Sequence, residues 1–91
     1  MTETHKKDLR YELIQVAAVA VAAIQCLDTG EANALILSDE LLEEIRRERC
    51  KQDMKWGFQR HNPLEWMGVL GEEYGEACKA ALQIRFGAAD E

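Results

Sequence analysis

The stretch Val16–Ile24, Val-Ala-Ala-Val-Ala-Val-Ala-Ala-Ile, constrains the fold more than any other part of this chain. Nothing in it is charged, and alanine or valine fills nearly every position. A helix that is apolar on all sides must pack against neighbours on more than one of them. The run is also shorter than the roughly 20 apolar residues a bilayer span needs, so the sequence predicts a buried helix and not a membrane one. At 91 residues the chain has room for one domain, 1–91, and for few other helices. Three helices bury an all-round apolar one poorly, so a second copy of the chain is expected to complete the core.

The remaining signals are helical too. A first helix is expected over about 7–27, stopping at Asp28-Thr29-Gly30, where the glycine suits a helix end. Ser38 is a natural N-cap for a second helix over about 39–55, with Leu41, Leu42 and Ile45 opening its apolar rhythm. Pro63 fits the first turn of a third, over about 63–86. Residues 30–37 read as a loop or a short helix. The fold class is therefore all-α: an antiparallel bundle of three main helices per chain, completed by oligomerisation.

Charge and cysteine content narrow the function classes. A net charge of -6 and a pI near 4.9 leave no basic face for a phosphate backbone, so no nucleic acid is expected as a partner. Met1–Arg10 is polar, without a signal-peptide pattern, and a cytoplasmic location is expected. Cys26, Cys50 and Cys78 lack metal-ligand spacing and read as reduced thiols, two of them in helix cores.

Two acidic clusters carry the chemistry. On the third helix, at about 100° per residue, Trp66, Val69, Leu70, Glu73, Glu76, Ala77, Ala80 and Ile84 share one broad face. Two carboxylates thus interrupt an apolar stripe, and carboxylates aimed at a core are costly unless paired or metal-bound. Spacing of three lets both reach one cation. On the first helix Glu12 and Gln15 repeat the pattern, on the face of Val16, Val19, Ala23 and Cys26. If the faces meet, Glu73, Glu76, Glu12 and Gln15 make an oxygen-rich pocket suited to magnesium or manganese. The plainer alternative is that these glutamates are solvated helix-surface residues.

The wording around these residues is more specific than their spacing. Lys55-Trp56-Gly57-Phe58-Gln59, then His61-Asn62-Pro63 and Trp66, then Val69-Leu70-Gly71-Glu72-Glu73-Tyr74-Gly75-Glu76 and Lys79-Ala80, resemble the MazG-like nucleoside triphosphate pyrophosphohydrolases. That family pattern has a KWGxQ segment, a tryptophan leading the next helix, and an EExxE motif. Glu12–Ala20 resembles the family's second acidic helix, normally ExxD. Here that helix comes first, so the chain resembles a circularly permuted member whose joining loop is 28–38. Gln15 stands where an aspartate is usual, which removes one negative charge from the ligand set.

The resemblance implies cleavage of a nucleoside triphosphate between the α and β phosphates, giving a monophosphate and pyrophosphate. Magnesium, or manganese, would be held by Glu73, Glu76 and Glu12, with Gln15 as a weaker ligand. Glu72 would orient or deprotonate the attacking water, making Glu72, Glu73 and Glu76 the catalytic set. Lys55 and Lys79 would contact phosphates, Trp56 would stack on a base, and Gln59 completes the substrate-binding set. A homodimer or homotetramer is implied, with no membrane partner. Other readings of the same residues make Trp56 and Trp66 core anchors, Lys79 a partner of Glu72 or Glu76, and His61 an ordinary loop residue. Two further functions fit the sequence: a lapsed nucleotide- or metal-binding module, and a helical interaction protein.

Overall fold

The structure, a computed structural model, describes the backbone of residues 2–90 and the side chains of residues 2–84. Among these every regular element is helical and there is no strand: α1 over Glu3–Thr29, a 3-10 turn over Ala34–Ile36, α2 over Asp39–Trp56 and α3 over Pro63–Asp90. It falls into two compact units, Met1–Cys50 and Lys51–Glu91.

In the first unit, α1 starts at Glu3, four residues before the expected start at Lys7. Thr2 is the reason: its Oγ1 accepts the His5 N–H at 3.1 Å and caps the helix. Glu3 then sits in the first turn, where a carboxylate suits the positive end of the helix dipole. The helix ends where Gly30 takes φ 84°, and the Gly30 N–H donates to the Cys26 carbonyl at 2.7 Å. Only glycine enters that left-handed region without steric cost.

Beyond the cap the chain is held to α1 by two side chains, Thr29, whose hydroxyl donates to the Glu31 carbonyl at 2.9 Å, and Gln25. The Gln25 amide donates Nε2 to the Asn33 carbonyl and accepts the Asn33 N–H on Oε1, each at 2.8 Å. Asn33 in turn accepts the Leu35 N–H on Oδ1 at 2.9 Å, opening the 3-10 turn. Ser38 Oγ accepts the Leu41 N–H at 3.2 Å and caps α2, as expected. Gln25 and Leu41 are the buried residues of the described chain, each 6% exposed. A buried amide is tolerable here because both its ends are satisfied.

The apolar body of α1 is less covered than expected. Val16 is 46% and Val19 69% exposed, and Gln25 alone is buried along the helix. The run Val16–Ile24 is short of a bilayer span, but flanking Leu13, Ile14 and Leu27 extend it within the 27-residue α1, which is long and apolar enough to cross a membrane by length and composition. The mostly buried core helix of a soluble protein and a signal sequence near an N-terminus pass the same test. Cys26, Cys50 and Cys78 are free and exposed, so none lies in a helix core.

In the second unit, α2 closes at Gly57, φ 75°, whose N–H donates to the Asp53 carbonyl at 2.8 Å. Helix α3 then opens on a reciprocal capping box. Asn62 Oδ1 accepts the Glu65 N–H at 2.9 Å, while Glu65 Oε1 accepts the Asn62 N–H at 3.1 Å. Pro63 occupies the first helical position between them, where its missing N–H costs nothing. A permuted order would also bring Met1 and Glu91 close together, and both lie outside the residues described.

Candidate metal and phosphate site

The EExxE run lies in the middle of α3, well inside the helix that the Asn62–Glu65 box starts. Glu72, Glu73 and Glu76 are all exposed. Glu73 and Glu76 stand three residues apart, with Val69 39% and Ile84 79% exposed along the same helical face. The carboxylates of that face are thus open, and of its large apolar residues Leu70 is half-buried while Trp66, Val69 and Ile84 are exposed. Gly71 and Gly75 flank the acidic residues, and a Cβ at either would meet nothing within 4 Å.

Glu12 and Gln15 lie on α1, in the first unit, and both are exposed. They share their face with Val16 and Val19, which are open as described above. Among the described residues, no three His, Cys, Asp or Glu side chains gather into a metal-binding group. The donor set is nonetheless chemically coherent: three carboxylates and one amide oxygen are hard ligands, which suit magnesium or manganese.

The expected substrate-binding residues sit in the second unit. Lys55 places Nζ 5.0 Å from the centroid of the Trp56 ring, a cation–π contact at the end of α2. Trp56 is 53% exposed, so it is not a core anchor of this chain. Gln59 Oε1 lies 3.2 Å from His61 Nε2. Lys79 is exposed on α3.

His61 does more than fill a loop. Its ring meets Trp66 edge-on, with centroids 4.8 Å apart, and its Nδ1 lies 3.5 Å from Glu65 Oε2. Counting from the Asn62 cap, these are the positions before the cap and four into the helix, which pack together to fix the entry angle of a chain. His61, Asn62, Glu65 and Trp66 therefore order the segment that carries Gln59 into the acidic helix. Sequence reasoning missed this, although Asn-Pro-Leu-Glu is a legible capping signature.

One further side-chain pair lies beside the acidic run. Cys78 hydrogen-bonds the Tyr74 phenol one turn away and raises its ionisation above the ordinary tyrosine value, its charge adding to the effect. Comparison with protein-family models, curated proteins and solved structures finds no match to this chain.

Proposed function

We propose that this chain is a metal-dependent nucleoside triphosphate pyrophosphohydrolase of the MazG-like kind, permuted in order, cytoplasmic and active as a homodimer or homotetramer. The observation that carries the reading is joint occurrence. Lys55-Trp56-Gly57-Phe58-Gln59, the Trp66 leader and the Glu72-Glu73-Tyr74-Gly75-Glu76 run all fall within one short segment, with Glu12 on a second helix. Glu73, Glu76 and Glu12 would hold magnesium or manganese, with Gln15 as a weaker ligand. The metal would supply charge neutralisation at the phosphates and a more acidic water. Glu72 would orient that water, Lys55 and Lys79 would meet phosphate oxygens, and Trp56 would take the base, with Gln59 beside it.

Exposure of the carboxylates and of apolar residues around them supports assembly from more than one chain. A single chain that leaves Val19, Leu27, Leu35, Met54, Phe58 and Leu64 more than two-thirds exposed has apolar surface to cover. Protein fits that role better than lipid along α1, because Glu12, Gln15 and Gln25 would be costly inside a bilayer.

Pyrophosphate release from a panel of ordinary and modified nucleoside triphosphates, with magnesium present, tests the activity. Turnover that disappears in Glu73→Gln and Glu76→Gln is expected, and no turnover on any nucleotide would sink the proposal. The same open apolar surface favours a second reading, a helical interaction protein. In that case Glu73→Gln and Glu12→Gln leave stability unchanged at every magnesium concentration.

A further inference from the structure

We propose that α2 is a self-pairing surface, on which two copies of this chain dock antiparallel with Glu40 facing Lys55 of the partner subunit and Glu44 facing Lys51 of the partner subunit. The proposal rests on the assembly part of the preceding reading and not on hydrolysis, and in the paired form the Lys55 amine meets Glu40 of the partner subunit in place of a phosphate.

At about 100° per residue, positions 40, 44, 47, 51 and 55 fall within one narrow stripe of α2. Glu40, Glu44, Arg47, Lys51 and Lys55 occupy it, and all five are exposed. Their order is acid, acid, base, base, base. Along a lone helix this sets like charges at a spacing of four, Glu40 by Glu44 and Lys51 by Lys55, which is destabilising. Beside the stripe Glu43 takes Arg46 through two bonds of 2.7 and 2.9 Å, and it also meets Arg47 of the stripe at 3.5 Å. Glu40 and Glu44 at one end and Lys51 and Lys55 at the other leave the stripe with a charge polarity along its length.

Reversal about the midpoint between residues 47 and 48 resolves it. Position 40 then meets 55, 44 meets 51, and 47 meets 48, and each pairing joins opposite charges: Glu with Lys, Glu with Lys, Arg with Glu. A two-fold axis produces every such pair twice, as an isologous contact requires. A parallel arrangement sets like on like. Any other partner would need the same polarity in reverse, whereas a second copy has it by construction.

Shape and apolar content agree with this occupant. Asp39, Glu40, Glu43, Glu44 and Arg47 line an open concavity on the acidic half of the helix. Met54, 86% exposed, borders the basic half of the stripe and gives the contact an apolar component. Charges of this kind fix orientation and register more than they supply affinity.

Analytical ultracentrifugation of the full chain at low and at physiological salt tests the pairing. Lys51→Glu with Lys55→Glu is expected to weaken self-association by about tenfold or more, and Glu40→Lys with Glu44→Lys likewise. Combining all four substitutions restores it, and mixing the two double variants gives a heterodimer in preference to either homodimer. Circular dichroism on each variant shows that the helices persist. A wild-type chain that stays monomeric overturns the pairing and the assembly reading together. A wild-type oligomer indifferent to both double variants, or a fourfold variant as weak as the doubles, overturns the pairing alone.

Discussion

The junction after α1 and the acidic run of α3 solve the same problem in opposite ways. Both place polar side chains on helices rich in apolar residues. Gln25 is buried, and its amide is matched at both ends by the backbone of Asn33. Glu73 and Glu76 are exposed, on a face where Trp66, Val69 and Ile84 are exposed as well. A short-range loop can return an amide's two hydrogen bonds, because a neutral group needs only one donor and one acceptor. Two adjacent carboxylates need positive charge, and the nearest turns of α3 offer only Lys79. The first region is finished within the chain. The second is available to something outside it.

The sharpest way to break this contrast is to remove the matched amide. Gln25→Ala leaves the Asn33 N–H and carbonyl without their partners, at an expected cost of about 3 kcal/mol in chemical denaturation. Gln25→Glu supplies only acceptors and should fall between that variant and the wild type. Leu41→Ala comes next, at about 2 kcal/mol, within the range for a buried leucine. Both variants should loosen 30–38 and leave α3 unchanged in hydrogen exchange.

At the other region the expected signs differ. Asn62→Ala removes a cap and should cost about 1 kcal/mol, read through the fluorescence of Trp66. Glu73→Gln should be neutral without metal and should abolish any magnesium-induced rise in melting temperature.

The smallest effects are titrations at the surface. Glu43 sits below the ordinary carboxylate range because the Arg46 guanidinium hydrogen-bonds it, with their charge attraction adding to this. Its folded value is depressed, so its contribution is present above the unfolded value and fades as pH falls through the folded one. Glu43→Gln should flatten that acid limb slightly, as expected for an exposed pair. Tyr74 has the opposite sign. Its folded value is raised, so its contribution holds below the unfolded value, near 10, and is lost as pH climbs through the folded one. Tyr74→Phe should remove that alkaline step.

Much of the helical layout is legible in the sequence, because caps are short-range chemistry. Ser38, Pro63 and Gly30 mark boundaries by properties of a few neighbouring atoms, and the helices begin or end there. The early start of α1 turns on Thr2, a cap inside a stretch that reads as merely polar. Burial is less legible. An all-round apolar helix signals neighbours, but composition does not say which chain provides them, and Val19 remains exposed here. The capping box at Asn62 and Glu65 and the Gln25 clamp escaped notice for separate reasons. The first is a recognisable four-residue signature next to a more conspicuous proline. The second joins residues eight apart through an amide, a pairing no periodicity announces.

Manganese binding followed by electron paramagnetic resonance addresses the acidic residues most directly. One class of bound ion is expected, weakening on Glu73→Gln and equally on Glu12→Gln, because the proposed ligand set includes both carboxylates. Binding that ignores Glu12→Gln, or no binding by the wild-type chain at any concentration, would contradict it.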